Sequence, residues 1–227
     1  MIVTIDGPAG SGKSTTARAA ADRLGFVYLD TGAMYRAIAL AFIRRDAEGT
    51  PDEARAILPD VRVDIRYRDN DMRVVLDGED VSGTIRTAEV GNMASQISAL
   101  QSVREKLLDT QRRVGREQAE KHGGVVLDGR DTGTVVFPDA DVKIFMVADA
   151  RERARRRLEE YQKQGEDVTF ESVLREIEER DEADRTREIA PLKRADDAVE
   201  LDTTSRSIDE QVGFVVNCVK AELAQSA

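Results

Sequence analysis

A glycine-rich loop near the start of the chain constrains its fold more than any other feature. Residues 7–15 read GPAGSGKST and follow the apolar run 2–5, so they match the pattern G-x-x-x-x-G-K-[ST] in its usual context. The stretch 16–24 after the loop favours a helix. A strand, this loop and a helix together predict a parallel α/β sheet with a phosphate-binding loop (P-loop), in which glycines let backbone N–H groups surround phosphate oxygens.

The P-loop supplies the candidate contacts to a nucleoside triphosphate. Lys13 brings a positive charge to the outer phosphates, and the Ser14 hydroxyl can bind a phosphate-bound Mg²⁺. The helix that follows directs the positive end of its dipole at the same anion. A glycine-rich turn with a solvated lysine is the alternative, but the placement between strand and helix favours the triphosphate site. The loop residues assigned to the triphosphate are Gly7, Pro8, Ala9, Gly10, Ser11, Gly12, Lys13, Ser14 and Thr15.

Composition excludes several classes of function. The 227 residues carry a net charge of −10, which argues against nucleic acid as the main partner. No apolar run approaches the roughly 18 residues of a membrane helix. The chain enters its first strand directly, which leaves no room for a signal peptide, so a cytoplasmic protein is expected. One cysteine and one histidine exclude an internal disulfide and, in effect, a structural zinc site.

Five short apolar runs predict one parallel sheet. They cover residues 2–5, 26–29, 125–127, 142–147 and 198–201, and helical patterns separate most of them. This alternation is typical of a doubly wound α/β core. The length fits one such domain with a small insert, or two small domains.

The long gap between the second and third runs predicts an insert. Residues 61–67 alternate apolar and charged side chains, residues 69–71 form a turn, and residues 72–76 return as far as Asp77-Gly78. This pattern is typical of a half-buried antiparallel hairpin. Two helical patterns then lead the chain back to the core.

Two highly charged helical stretches, residues 151–164 and 170–187, follow the fourth run. Their apolar residues are sparse, so neither stretch is expected to be deeply buried. A movable flap over a ligand is one interpretation. A solvated helical hairpin with i,i+4 charge pairs is the other, and charge alone favours it.

Three further segments carry arginines and aspartates suited to ligand binding. Residues 30–36 (DTGAMYR) follow the second run and residues 128–131 (DGRD) follow the third, so both lie at the carboxyl ends of parallel strands. Residues 180–187 end the charged hairpin. A P-loop serves switches, motors and small-molecule kinases alike. These arginines therefore indicate a second ligand that bears a phosphate.

At these residues the chain resembles the bacterial cytidylate kinases, over nearly its whole length. The match combines the P-loop with segments 30–36, 78–82, 94–96, 103–104 and 128–138. The resemblance implies a nucleoside monophosphate kinase fold, which is an α/β fold with a five-stranded parallel core of the P-loop NTPase type. It also implies a helical lid and a small acceptor-binding region that contains the antiparallel hairpin.

The resemblance also implies boundaries and an activity. The core would occupy residues 1–30, 122–150 and 188–227, the acceptor-binding region 31–121 and the lid 151–187. The activity would be transfer of the ATP γ-phosphoryl group to CMP or dCMP by a monomer, with Mg²⁺ accompanying ATP. A kinase of the same fold that acts on UMP or dTMP is the nearest alternative. A P-loop switch or binding module is another, but the chain has no recognisable guanine-specificity motif.

Roles for individual side chains follow from the same resemblance. The four residues implied to be catalytic are Lys13, Arg36, Arg130 and Arg187. The residues implied to contact CMP are Thr31, Arg36, Ser95, Arg104, Asp128, Arg130, Asp131, Arg180, Asp184 and Arg187. Among them, the base would lie near Arg104 and Asp131 with Asp128 in support, and the ribose near Ser95, Arg180 and Asp184. The lid arginines implied to face the triphosphate are Arg153, Arg156 and Arg157.

Overall fold

Strands and helices alternate along most of the chain in a computed structural model that describes residues 1–68, 71–163 and 165–225. Asp69 and Asn70 of the predicted turn, and Gln164 at the end of the first charged stretch, lie outside the described residues. None of the described helices combines the length and the apolar composition of a membrane span. In chain order the elements are β1 (Ile2–Asp6), α1 (Lys13–Leu24), β2 (Val27–Asp30), α2 (Thr31–Ile43), α3 (Pro51–Ile57), β3 (Val63–Arg68), β4 (Asp71–Leu76), β5 (Glu79–Asp80), α4 (Ala88–Ile97), α5 (Gln101–His122), β6 (Val125–Gly129), β7 (Val142–Val147), α6 (Ala150–Lys163), α7 (Phe170–Thr186), β8 (Val199–Asp202) and α8 (Ile208–Gln225).

The five predicted apolar runs form one five-stranded sheet in the order β2-β6-β1-β7-β8. Every neighbouring pair is parallel, which confirms the predicted α/β core. Successive residues of a strand point to opposite faces of the sheet. Accordingly, Val125 and Leu127 of β6 pack in one apolar core, and Val126 packs in the other. Helices cover both faces, so the central strands are mostly apolar and mostly buried.

The register of the sheet brings the predicted ligand segments together. Asp6 at the end of β1 lies opposite Gly129 of β6, and Asp30 at the end of β2 lies opposite Asp128. The P-loop, the start of α2 and the segment after β6 therefore share one edge of the sheet. This is the edge at which open α/β sheets bind ligands.

The insert is an antiparallel sheet, as predicted, but it has three strands instead of two. β3 pairs with β4, and the short β5 adds to the other side of β4. The turn at Asp77 and Gly78 has φ of 52° and 91°, the left-handed conformation that Asp and Gly tolerate. The insert contacts the core where Tyr67 Oη donates a hydrogen bond to the carbonyl oxygen of Tyr28 at 3.0 Å.

The charged helices α6 and α7 pack against each other through a small apolar core of their own. Its buried residues are Ala154, Tyr161, Val173 and Ile177. The pair is thus held together by few apolar contacts, as the sparse apolar pattern predicts. The end of α7 also contributes to the core edge, because Arg180 and Asp184 line a cavity at the carboxyl edge of the sheet.

Candidate active site

The P-loop conformation depends on glycine at two positions. A Cβ on Gly7 would clash with the carbonyl oxygen of Met146 in β7, so no larger residue fits against that strand. Gly12 precedes α1 with a φ of 90°, which a residue with a side chain rarely adopts. The loop therefore turns directly into the N-terminus of α1, where free backbone N–H groups and the helix dipole favour an anion.

Lys13 is buried inside the loop and bound to it. Its Nζ donates hydrogen bonds to the carbonyl oxygen of Pro8 at 2.6 Å and to Ser11 Oγ at 3.4 Å. Burial and the nearby Arg130 guanidinium hold the pKa of Lys13 well below its usual value, although Asp128 and Asp6 oppose them. A polyphosphate in the loop would raise this pKa and stabilise the positive charge of the side chain.

Asp128 joins the loop to the end of β6. Its carboxylate accepts hydrogen bonds from Ser14 Oγ at 2.6 Å and from Tyr28 Oη at 2.8 Å. Burial, and to a smaller extent the charge of Asp30, raises the pKa of Asp128 to about 6. The ionised carboxylate thus lacks full compensation from its protein neighbours. A cation beside it would supply that compensation.

Ser14 and Asp128 fit Mg²⁺ by their chemistry. Hydroxyl and carboxylate oxygens are the ligands that this ion prefers, and it usually takes only one or two from protein when phosphates supply others. Among the described residues no cluster of three or more His, Cys, Asp or Glu side chains is arranged to hold a metal. The two side chains therefore suit an ion that arrives with a polyphosphate.

We expect ionisation of Asp128 to lower the stability of the protein as pH rises through about 6. Between its ordinary pKa of 3.8 and its raised value, the folded protein holds a proton that the unfolded chain has lost. This contribution is complete below the ordinary pKa and disappears above the raised one. Asp128→Asn, which does not titrate, should therefore show a smaller change in free energy of urea unfolding between about pH 5 and about pH 8. An identical change in both proteins would contradict this explanation.

An arginine-rich cavity, which we name the acceptor cavity, lies beside the P-loop at the carboxyl edge of the sheet. Its walls carry six arginines and four aspartates, an excess of positive charge in a chain that is negative overall. This local field favours a small anion. The charged lining residues are Arg36, Arg86, Arg104, Arg130, Arg180, Arg187, Asp30, Asp128, Asp131 and Asp184, and Thr31 and Ser95 lie beside them.

Arg104 and Asp131 form a buried ion pair at one side of the acceptor cavity. Arg104 Nη1 also donates to the carbonyl oxygen of Ser98 at 2.9 Å, and its guanidinium lies 5.5 Å from the centre of the Tyr35 ring. Both side chains are therefore fixed in place. They present a donor and an acceptor side by side, as recognition of a heterocycle edge requires.

Asp184 of α7 organises two of the arginines. It accepts a hydrogen bond from Arg130 Nε at 2.7 Å and a longer one from Arg187 Nη1 at 3.4 Å. Burial disfavours the ionised form of Asp184, but Arg130, Arg187 and Arg180 outweigh burial and hold its pKa below the usual value. One carboxylate thus lies near three guanidinium groups. Its single negative charge cannot neutralise all three, so net positive charge remains for a ligand.

Two of these arginines have buried donors without a partner. Arg180 Nε and Arg187 Nη2 make no hydrogen bond within the described part of the chain. Burial and the neighbouring Arg130 lower the pKa of Arg180 to about 10. Buried unpaired donors are costly, and an anionic ligand in the cavity would satisfy them.

The three lid arginines differ in how deeply their side chains are buried. The Arg153 guanidinium is buried and bonds to Ala9 O, to Ala148 O and to Asp181 Oδ2 at 2.6–3.0 Å. Arg156 and Arg157 are more exposed and line a separate cavity over the P-loop. A triphosphate contact of Arg153, which the resemblance implies, would require its protein bonds to break. Arg156 Nη2 also bonds to the carbonyl oxygens of Thr203 and Thr204, at 2.8 Å and 3.1 Å. Arg157 makes only longer bonds, to Glu160 and Tyr161 at 3.4 Å and 3.2 Å, so it is the least constrained of the three.

Several side chains of this site are absent from the sequence-based assignment. Arg86 lines the acceptor cavity and bonds to Asp30 at 3.0 Å. Asp6 accepts three hydrogen bonds of 2.8–2.9 Å from Thr132 and Gly133, and so anchors a π-helix at Thr132–Val136. An aspartate at the buried end of an apolar strand is a detectable signal for Asp6. Arg86 ends a 3-10 helix of three residues, Thr84–Arg86, and offers no such signal.

A family model and two relatives match all or nearly all of the chain. A family model described as cytidylate kinase matches residues 3–221. A cytidylate kinase of Salinibacter ruber is 64% identical over 222 residues, which are 98% of each chain. One of Aeromonas salmonicida is 47% identical over 229 residues, covering 100% of this chain and 96% of the relative. A solved structure of an uncharacterized protein from Eubacterium ventriosum is similar in fold alone, with a TM-score of 0.52 at 11% identity over 97% of this chain and 98% of that one.

Proposed function

The chain belongs to the cytidylate kinase family, and from this membership we propose that the P-loop binds ATP while the acceptor cavity binds CMP. The enzyme phosphorylates CMP to CDP at the expense of ATP. One observation supports this placement above the others. The acceptor cavity adjoins a smaller cavity between the P-loop and α7, which is distinct from the one lined by Arg156. Both are lined by Ser14, Arg36, Arg130 and Arg180, so two phosphate groups could meet there.

In the proposed mechanism the chain brings two polyanions together and neutralises their charge. The attacking phosphate oxygen of CMP is already an anion at neutral pH, so neither Asp128 nor Asp131 is assigned as a general base. Lys13 covers the donor side, and Arg36, Arg130 and Arg187 cover the acceptor phosphate. Phosphoryl transfer depends mainly on such alignment and charge stabilisation. Arginine suits this role because its planar fork binds phosphate in two places and stays protonated.

Ser14 and Asp128 would hold Mg²⁺ together with the triphosphate. When bound, the ion neutralises charge on the phosphates of the donor. Before that, the Ser14 hydroxyl is already oriented by its hydrogen bond to Asp128. Burial raises the pKa of Asp128 because it disfavours the ionised carboxylate, and a cation bound beside it would stabilise that ionised form.

The charged helices form the lid in this proposal. Arg156 and Arg157 are assigned to the triphosphate, and Arg153 is assigned to holding the base of the lid against Ala9 of the P-loop. The division into core (1–30, 122–150, 188–227), acceptor region (31–121) and lid (151–187) follows the same assignment. We propose a monomer, because one chain supplies every residue assigned to both substrates. We also propose a cytoplasmic location.

Base recognition is assigned to Arg104 and Asp131. Cytosine presents an amino donor beside the acceptors N3 and O2, so Asp131 can accept from the amino group while Arg104 donates. Uracil places a carbonyl oxygen against Asp131, which leaves acceptor facing acceptor. A buried group left unpaired costs about 1–3 kcal/mol, enough for a marked preference.

The test is a turnover assay with ATP and a panel of monophosphates, in which CMP should be the best acceptor.

In Asp131→Ala the ratio of kcat/KM for CMP over UMP should fall about 10-fold to 100-fold, with little change in the KM for ATP. A better rate with UMP or dTMP in the natural protein would identify a different acceptor. An unchanged ratio of CMP over UMP in the variant would reject the role of Asp131. The ratio of kcat/KM for CMP over dCMP reports instead on the ribose contacts proposed for Ser95, Arg180 and Asp184.

A further inference from the structure

Arg36 reaches the acceptor cavity from α2, but its guanidinium is held by the segment that leads into α4. Arg36 Nη1 donates hydrogen bonds to the carbonyl oxygens of Ile85 at 3.1 Å and Thr87 at 3.3 Å. Both carbonyls belong to the segment that leads into α4. In the described part of the chain, all hydrogen bonds from this guanidinium to protein come from Nη1. Nε and Nη2 therefore remain available to a ligand.

Gly91 lies where the guanidinium meets α4. A Cβ at this position would lie 3.1 Å from Arg36 Nη2, 3.2 Å from Nη1 and 3.4 Å from Cζ. The carbonyl oxygen of Thr87 accepts both the Gly91 N–H, at 3.1 Å, and the Arg36 bond. The helix and the arginine thus share one acceptor, and the absence of a side chain at Gly91 lets them do so.

Helix propensity offers no reason for glycine at this position. Gly91 is the fourth residue of α4 and has an ordinary helical backbone, in which glycine is less favourable than alanine by about 1 kcal/mol. Gly213 of α8 is also a helical glycine, but a Cβ there would meet nothing within 4 Å. Comparing the two positions separates the effect on the helix from the effect on Arg36.

We propose that Gly91 is a positioning residue for phosphoryl transfer, because its missing side chain gives the Arg36 guanidinium the place from which it holds the acceptor phosphate. This inference rests on the proposed function, in which Arg36 binds the phosphate of CMP. A side chain at Gly91 moves the guanidinium away from α4 and from its carbonyl partners. A displacement of about 1 Å can lower a rate by a factor of about 100.

The experiment compares Gly91→Ala and Gly91→Leu with Gly213→Ala. We expect the KM for CMP to rise about 3-fold to 10-fold in Gly91→Ala and about 100-fold in Gly91→Leu, while the KM for ATP stays within about 2-fold. Gly213→Ala should keep both KM values. Cytidine has no phosphate, so its inhibition constant against CMP should stay the same in all three variants.

An Arg36→Ala background provides the decisive control. If Gly91 acts through Arg36, Gly91→Leu should have no further effect on the KM for CMP once the guanidinium is gone. An equal rise in both backgrounds, a parallel loss of cytidine binding, or unchanged CMP kinetics in Gly91→Leu would overturn the proposal. Failure of the natural protein to phosphorylate CMP would instead reject the proposed function, and this inference with it.

Discussion

Lys13→Met is expected to lower kcat by about 100-fold to 1,000-fold, because it removes a fixed positive charge from the phosphates of the donor. The same substitution should increase the stability of the protein. Burial and Arg130 depress the pKa of Lys13, so its charged form is unfavourable in the folded protein without ligand. Methionine has a similar length and no charge to desolvate. Activity and stability should therefore change in opposite directions.

Steady-state kinetics and urea unfolding at pH 7 measure the two effects of Lys13→Met. Lys121 of α5, which is exposed, provides the matched control. Lys121→Met should leave kcat unchanged and alter the free energy of unfolding by less than about 0.5 kcal/mol. Destabilisation by Lys13→Met would mean that the hydrogen bonds of Nζ to Pro8 and Ser11 outweigh the burial of its charge, contrary to the expected gain in stability.

The central sheet could be predicted from the sequence because most of its strands are buried on both faces and appear as short apolar runs between turn residues. The exception is the edge strand β8, which is mostly exposed. All five runs became strands of one sheet. The hairpin was predictable from its alternating pattern. β5 was not, because its two residues, Glu79 and Asp80, are exposed and pair with β4 only after the turn has placed them there.

Most of the residues that form the site could be predicted from the sequence, but the hydrogen bonds and burial of their side chains could not. Strand ends identify Arg36, Arg130 and Asp128 as neighbours of the P-loop. The π-helix after Asp131 depends on hydrogen bonds to Asp6, a residue 126 positions earlier in the chain, so no local pattern could reveal it. Likewise, Arg153 and Arg157 are four residues apart in a helix rich in charged residues. Only tertiary contacts show that the first is buried.

A second large effect is expected at Asp184, where removal of one carboxylate would take the partner from two largely buried guanidinium groups, those of Arg130 and Arg187. Asp184→Ala should lower the free energy of unfolding by about 3–5 kcal/mol, because a buried charge that loses its partner keeps its desolvation penalty. The side chains of Asp184 and Arg187 are only 9% and 6% exposed. Water can therefore replace only part of the lost interaction.

Glu182 offers a control on the same helix with the same spacing. Glu182 and Arg185 form an i,i+3 pair like Asp184 and Arg187, but their side chains are 56% and 71% exposed. Glu182→Ala should change the free energy of unfolding by no more than about 1 kcal/mol, the range of exposed ion pairs. Similar losses in both variants would show that burial does not decide the strength of these pairs.

Kinetics separate the two roles of Asp184. The contacts with Arg130 and Arg187 predict that Asp184→Ala lowers kcat/KM for CMP and dCMP together, because both acceptors carry the same phosphate. The ribose contact that family resemblance implies predicts an added change in the ratio of the two. An unchanged ratio would assign the carboxylate to the arginines alone. In that case α7 contributes to catalysis by orienting Arg130 and Arg187 towards the phosphate, and sugar discrimination depends on Ser95 and Arg180.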